Sequence, residues 1–274
     1  MEWSKLKNII ILILLTANLF LLVMVVVQER GSAQYQEKTI TDMISVLERN
    51  GIRLDRANVP EELELTALTV ERDRESETAL AAALLGECSV SDLGSGRYSY
   101  ESDLGWAEFR SNGNFSFTFS DGAWPAAASG GEEAHALSTM GKVGFTGVSI
   151  SHEKNGGQVL LTLRQTWQDL PVLSCQVTLE YVDGCLQSIS GQRLMGTPQP
   201  SSEKSEFLTV PTALLRFLNG ITDLGDICSE ITAMTPGYRL TVSADATRLI
   251  PVWYVTTDTG AYSLNALTGA LERA

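Results

Sequence analysis

The chain has 274 residues and a net charge of −13, which is long enough for more than one domain with its own core. Residues 31–274 hold 17 Lys and Arg against 31 Asp and Glu, so this part alone carries a net charge of −14. A surface this acidic excludes electrostatic binding of nucleic acid or of an anionic membrane surface, and we expect no nucleic-acid partner.

The most apolar stretch runs from Ile9 to Val27. These 19 residues contain no charged side chain, and only Thr16 and Asn18 are polar. A helix of this length extends about 28 Å, close to the thickness of the hydrocarbon core of a bilayer. The sequence therefore predicts a transmembrane helix over residues 9–28.

Basic residues on one side of this stretch predict its orientation. Lys5 and Lys7 precede it, whereas the charges of Glu29 and Arg30 cancel after it. An excess of Lys and Arg marks the cytoplasmic side, so residues 1–8 are expected in the cytoplasm and the remainder outside the cell. A cleaved signal peptide is the alternative, with residues 31–33 as the cleavage site, but its apolar region is usually only about 7–15 residues long. We expect the helix to be retained as an anchor in the cell membrane.

Residues 29–60 are predicted to form a stalk helix and a connection. Apolar residues recur at helical spacing between Tyr35 and Asn50, and Gly51 is placed to end that helix. The residues that follow are expected to be extended as far as Pro60, since proline disfavours helical geometry in the residue before it.

Residues 61–128 are predicted to form the first extracytoplasmic module. A strand ending near Val70 precedes a helix over Glu75–Leu85, which Gly86 ends. Asn112-Gly113 is a strong signal for a two-residue hairpin turn. After it, aromatic residues alternate with hydroxyl-bearing residues over 115–119, a pattern typical of a half-buried antiparallel sheet.

Residues 129–274 are predicted to form a second and a third module on the same plan. The second has a helix over 132–140 and strands over 148–152, 158–167, 172–182 and 185–194; the third has a helix over 210–218, ended by Asn219-Gly220, and strands over 227–234, 238–243, 250–257 and 261–265. Helices followed by antiparallel meanders indicate an α+β fold, with the helices on one face of each sheet.

One short sequence resembles a catalytic motif. Asp258-Thr259-Gly260 follows an apolar strand, as in aspartic proteases, where two carboxylates share a proton. The sequence contains no second Asp-Thr-Gly motif, so this function would require a dimer. The alternative is a hairpin turn, because Asp and Gly are favoured in such turns.

Neither the cysteines nor the histidines predict a metal site. Cys88, Cys175, Cys185 and Cys228 form no CxxC pair, and the two histidines lie in no ligand-type motif. Cys175 falls on the apolar side of an alternating strand, where it is expected to act as a small buried hydrophobic residue. We expect no catalytic residue, no metal and no cofactor, and hence no enzyme.

Both ends of the chain resemble a known family. Met1-Glu2-Trp3-Ser4-Lys5, Asn18-Leu19-Phe20-Leu21 and the stretch from Leu47 to Pro60 resemble the N-terminal part of the YycI/YycH regulatory proteins. The closing segments Leu249–Tyr254 and Tyr262–Gly269 resemble that family's last hairpin and, more broadly, PepSY-like domains. The resemblance covers about a third of the chain and implies YycI-like or PepSY-like repeats.

That resemblance implies a function. YycI/YycH proteins are single-pass proteins of Gram-positive bacteria that bind a cell-wall-sensing histidine kinase of a two-component system within the membrane. They tune its activity together with a paralogue and have no enzymatic activity. The expected partners of this chain are therefore a sensor histidine kinase and a YycH-like paralogue.

Asn18 is the candidate contact residue for such a partner. It is expected near the middle of the bilayer, where pairing its amide across a helix–helix contact contributes roughly 0.6–2 kcal/mol. Alternatively, Asn18 bonds within its own helix. The predicted partner-binding seam consists of Asn18, Leu14, Leu15, Leu22 and Val25.

Three functional hypotheses follow from the sequence. The first is a membrane-anchored regulator of a histidine kinase. The second is an anchored PepSY-like module that binds or inhibits a wall-associated protease or hydrolase. The third is a dimeric aspartic protease built on Asp258.

Overall fold

The structure is a computed structural model, and it describes residues 14–15, 17–22, 24, 37–60, 65–126, 131–201, 206–243 and 246–274. The described residues before 25 are helical. Within the described ranges, none of the helices combines the length and the apolar character that crossing a bilayer requires. The predicted cytoplasmic segment 1–8 and most of the predicted transmembrane helix 9–28 lie outside the described residues.

The described chain is a mixed α+β protein dominated by antiparallel sheet, which confirms the α+β part of the predicted fold class. The helices are α1 (37–49), α2 (Arg74–Leu85), α3 (Glu132–Lys142) and α4 (Val210–Leu224), with a 3-10 turn at Arg56–Asn58. The strands are β1 (Arg53–Leu54), β2 (Leu68–Val70), β3 (Ser89–Gly94), β4 (Arg97–Ser102), β5 (Gly105–Phe109), β6 (Asn114–Phe119), β7 (Gly147–Asn155), β8 (Gln158–Trp167), β9 (Leu170–Val182), β10 (Cys185–Gln192), β11 (Pro198–Pro200), β12 (Glu230–Val242), β13 (Thr247–Thr257), β14 (Ala261–Asn265) and β15 (Leu271–Arg273).

Strands β3 to β10 form one antiparallel sheet. Their order is β3-β4-β5-β6-β10-β9-β8-β7, so the last strand of the first meander pairs with the last strand of the second. Helices α2 and α3 pack on one face, where the inward aromatic side chains of β6 join a single core with apolar residues of β8 and β9. The predicted module boundary near residue 128 therefore lies between two segments of the chain that share one sheet and one core.

Strands β12 to β15 form a second sheet, covered on one face by α1 and α4. The strand order is β12-β13-β14-β15. Strand β2 pairs with the part of β13 that does not pair with β14. Strand β1 and one residue of β9 pair with β12. Ile40 and Leu47 of α1 are buried in this core together with Phe217 of α4. Helix α1 is thus part of the C-terminal unit, not an isolated stalk.

A third apolar cluster joins the two sheets. It takes residues from β2, from β9 and from the strands of the C-terminal sheet; its buried members are Leu68, Val70, Val172, Cys175, Leu194, Met195, Tyr238, Leu240 and Leu249. Because one cluster holds side chains from both sheets, the two units share part of their cores.

Helix α2 begins at a capping aspartate, and both α2 and α4 end at a glycine. The Asp73 carboxylate accepts hydrogen bonds from the backbone N–H groups of Glu75 (2.9 Å) and Ser76 (3.1 Å), which satisfies two donors at the start of α2. Gly86, with φ of 72°, ends α2, and Gly225 in the left-handed conformation ends α4.

The predicted end of α4 at Asn219-Gly220 is wrong. The helix continues to Leu224, and Gly220 lies inside it. A Cβ atom at position 220 would lie 2.6 Å from the Leu271 Cβ. The glycine is therefore needed for the close approach of α4 to β15, which an isolated sequence cannot distinguish from a helix end.

One prediction of separate strands is also wrong. The sequence predicts strands over 227–234 and 238–243, but β12 is continuous from Glu230 to Val242. A Cβ atom at position 237 would lie 2.9 Å from the Pro171 carbonyl oxygen, so this glycine permits close packing of β12 on β9. Strand β3 was not predicted because all its residues are exposed and show no apolar alternation.

A buried carboxylate holds α2 against the first meander. Glu77 is only 3 % exposed, and its two carboxylate oxygens accept hydrogen bonds from Arg72 at 2.7 and 2.9 Å. Arg72 also donates to the carbonyl oxygen of Gly96 (2.7 Å), in the turn between β3 and β4. The pair therefore links the start of α2 to that turn.

We predict that Glu77→Gln lowers the free energy of unfolding by about 2–4 kcal/mol, because it leaves the Arg72 guanidinium without its counter-charge. Glu75→Gln is the matched control on the exposed side of the same helix and should change the value by no more than about 0.5 kcal/mol. Urea unfolding followed by circular dichroism measures both. Equal stabilities for the two variants would contradict the structural role of the pair.

Candidate functional site

The predicted seam lies on the helical residues before position 25. Leu14, Leu15, Asn18 and Leu22 are all helical and exposed, and Val25 is outside the described residues. At 3.6 residues per turn the four described positions lie on one side of a helix. Their role as a partner-binding seam stays a prediction.

A polar surface covers the face of the eight-stranded sheet that points away from α2 and α3. Side chains of neighbouring strands form a continuous row across it, which we call the hydroxyl row. Its members in spatial order are Ser91, Ser99, Glu108, Ser116, Ser190, Thr178, Thr162 and Ser151. Seven of the eight carry a hydroxyl group, and at about 4.8 Å per strand the row is roughly 34 Å long.

A second row runs beside the first, and we call it the acidic row. Its members in spatial order are Ser89, Glu101, Trp106, Thr118, Ser188, Glu180, Leu160 and Glu153. It contributes three carboxylates, and Trp106 is 43 % exposed within it. No member of either row is buried, whereas alternate residues of β4, β5, β6, β8, β9 and β10 form the core.

Hydrogen bonds hold the side chains of this face in place. Glu180 accepts from Gln158 (2.6 Å) and from Ser188 (3.0 Å), so side chains of three neighbouring strands are fixed relative to one another. The hydroxyl groups of Thr162 and Thr178 lie 3.2 Å apart across β8 and β9. Ordered cross-strand pairs of this kind present polar groups at a fixed spacing.

The polar face continues towards the C-terminal sheet. The Arg164 guanidinium on β8 lies 5.3 Å from the centre of the Tyr254 ring on β13. A cation over an aromatic face is attracted by the quadrupole of the ring. This contact joins the open face of the large sheet to the outer face of the C-terminal sheet.

Asp258 stabilises a turn. It lies between β13 and β14, which confirms the hairpin interpretation of the Asp-Thr-Gly string. Its carboxylate accepts from the Ser229 hydroxyl (2.6 Å) and from the backbone N–H groups of Ser229 and Glu230. The hydrogen bond from the Ser229 hydroxyl lowers the pKa of Asp258 below its usual value.

His135 and Cys175 are core residues. The His135 ring lies 3.0 Å from the Tyr181 hydroxyl, and burial lowers the pKa of His135, so the ring is neutral at pH 7. Cys175 is fully buried, as predicted, and burial raises the pKa of its thiol to about 12. In the described part of the chain, no group of three or more His, Cys, Asp or Glu residues could hold a metal ion.

The sequence indicated this surface only in part. Alternation of hydroxyl and aromatic residues in β6 predicts one polar face, but the pairing of β6 with β10 extends that face into the second meander. Neighbours such as Ser116 and Ser190 are 74 positions apart in the sequence. The complete hydroxyl and acidic rows can be identified only when the strand order is known.

We predict that Asp258→Asn lowers the melting temperature at pH 7, because an amide replaces an acceptor that receives three hydrogen bonds. A carboxylate with a lowered pKa stabilises the fold above its unfolded-state value of 3.8, and this contribution is lost as the pH falls through the lower folded-state pKa. The difference between variant and wild type should therefore shrink below about pH 4. Asp223→Asn, at an exposed position of α4, is the control and should melt like the wild type. Wild-type melting of Asp258→Asn at pH 7 would contradict the role of the turn.

No family model matches the sequence, and no curated protein matches it. Among solved structures, the chain is similar to an uncharacterized protein from Eubacterium rectale, with a TM-score of 0.45, 12 % identity and coverage of 81 % of this chain and 90 % of that one. It is also similar to the Bacillus megaterium YpeB C-terminal domain, with a TM-score of 0.39, 10 % identity and coverage of 78 % and 99 %. Neither similarity assigns the chain to a family.

Proposed function

We propose that the chain is a single-pass membrane protein that regulates a cell-wall-sensing histidine kinase of a two-component system, through contacts in the membrane and outside it. The proposal rests on the apolar, exposed side chains of the helical residues before position 25. Their large apolar side chains are all more than half exposed: Leu14, Leu15, Leu19, Phe20, Leu21, Leu22 and Met24.

These apolar side chains point in every direction around the helix axis. Positions 19 to 22 alone sample four directions about 100° apart. A helix that is apolar on all sides requires an apolar environment, which a lipid bilayer provides. This supports a membrane anchor, with the N-terminus in the cytoplasm and the sheets outside.

Asn18 is an exposed polar residue on this apolar helix, and we propose that it contacts the partner helix. An amide in hydrocarbon is stabilised when a neighbouring helix supplies a hydrogen-bond partner. Leu14, Leu15 and Leu22 lie on the same side and would pack against that helix, with Val25 extending the contact. The proposed partners are the sensor histidine kinase and a YycH-like paralogue, on the basis of the resemblance at both ends of the chain.

A second candidate function is favoured by the open sheet face. Apart from the three-residue strand β11, the order of one helix and then four strands recurs three times, in α2 with β3–β6, α3 with β7–β10 and α4 with β12–β15. This recurrence supports the PepSY-like interpretation. The hydroxyl and acidic rows present an ordered polar surface with carboxylates and an exposed tryptophan. Such a face suits a folded partner with basic and hydrogen-bonding groups, so an anchored module that binds or inhibits a wall-associated protease or hydrolase is the alternative.

We predict that a photo-crosslinking residue at position 18 captures a histidine kinase in the membrane. The same residue at position 20 is the control, because Phe20 lies about 160° around the helix from Asn18. Capture should be several-fold stronger from position 18. Asn18→Leu, which removes the amide, should also reduce co-purification of the kinase and alter its output.

Equal capture from positions 18 and 20 would contradict the seam. Unchanged co-purification and kinase output in Asn18→Leu would contradict the role of the amide. In either case the kinase hypothesis would lose its basis in the membrane helix.

We predict that Ser190→Arg weakens binding to a wall-associated protease or hydrolase about tenfold or more, if the open face is the binding surface. Ser190 is exposed near the middle of the hydroxyl row, and arginine there adds bulk and positive charge. Ser138→Arg, on the exposed side of α3, is the matched control and should bind like the wild type. Both variants should melt within about 2 °C of the wild type. Equal binding by the two variants would contradict this second function.

A further inference from the structure

The outer face of the C-terminal sheet contains a trough with a volume of about 370 Å³. Trp253 and Val255 of β13 point into the core beneath α4, so the alternate residues Ile250 and Val252 point to the opposite face. The lining residues are Arg239, Leu240, Thr241, Val242, Ile250, Val252, Ser263, Asn265, Ala270 and Glu272. The volume is within the range of about 300–1,000 Å³ of small-molecule sites.

The trough contains a buried hydroxyl group without a partner. Ser263 is only 4 % exposed, and its Oγ has no hydrogen-bond partner among the described residues. Nearly all buried polar side chains in folded proteins have such a partner. Near it, the half-buried Ile250 contributes apolar surface. The trough thus offers an apolar wall and an unused donor and acceptor.

An ion pair crosses the trough. Arg239 of β12 contacts Glu272 of β15, although β13 and β14 lie between these two strands. Both side chains line the trough and are partly exposed, at 37 % and 55 %. A partly exposed ion pair contributes little to the stability of the fold. The carboxylate of a ligand can therefore take the place of the Glu272 carboxylate.

We propose that this trough binds a small amphipathic carboxylate. The carboxylate of the ligand replaces Glu272 against the Arg239 guanidinium, and the apolar part of the ligand lies on Ile250. The Ser263 hydroxyl donates a hydrogen bond to the carboxylate. Arginine is suited to this exchange because its planar, permanently charged group binds carboxylates through two parallel hydrogen bonds. The site does not depend on how the chain contacts its protein partner.

The test uses the full-length chain in lipid nanodiscs and isothermal calorimetry, with empty nanodiscs as the blank. Two carboxylates are compared with their neutral, isosteric amides. Phenylacetate and phenylacetamide represent a free small carboxylate, and N-acetyl-leucine and N-acetyl-leucinamide represent the C-terminus of a peptide. We expect at least one carboxylate to bind about tenfold or more tightly than its amide, and the better pair identifies the source of the ligand.

Variants of the ion pair should act in opposite directions. Arg239→Gln should weaken carboxylate binding about tenfold or more, because the charge-assisted hydrogen bonds are lost. Glu272→Gln should tighten it, since it removes the competing carboxylate. Arg49→Gln, on the exposed side of α1, is the control and should leave affinity unchanged.

Ser263→Ala separates ligand binding from folding. Removing an unpartnered buried hydroxyl should leave the melting temperature equal or higher, yet weaken carboxylate binding several-fold. The proposal is overturned if neither carboxylate binds, if the amides bind as tightly as the carboxylates, or if Arg239→Gln and Glu272→Gln change affinity in the same direction.

Discussion

The pairing of β6 with β10 is the contact on which the rest of the structure depends. It joins two meanders, each preceded by its own helix, into one eight-stranded sheet. With this pairing in place, α2 and α3 cover the same face and their apolar residues share one core. Without it, each meander would bury less apolar surface and would have an additional unpaired edge.

The same pairing produces the open polar face. Because side chains alternate between the two faces of a strand, burying the aromatic residues of β6 turns its serine and threonine towards solvent. The register then aligns Ser116 with Ser190 and Thr118 with Ser188, so two short polar stretches become continuous rows. The surface that supports the second proposed function is therefore a consequence of how the core is formed.

The C-terminal unit is organised by close approaches at two glycines. Gly220 brings α4 against β15, and Gly237 brings β12 against the start of β9. Both contacts hold the sheet against its neighbours, while its outer face bears the trough with Ser263 and the ion pair of Arg239 with Glu272. The N-terminal helical residues, with Asn18, form a separate apolar surface that supports the membrane proposal.

The sequence by itself determined the α+β class, most helices and strands and the end of α2 at Gly86, because these depend on local periodicity and on residues with special backbone preferences. It offered the turn at Asp258 as one of two interpretations. It also predicted the burial of Cys175 from alternation within one strand. It could not determine that α4 passes through Gly220 or that β12 passes through Gly237, since a glycine that permits close packing and one that ends an element look the same. The strand order, the complete polar rows and the trough were decided only by the tertiary structure, because each depends on contacts between residues far apart in the chain.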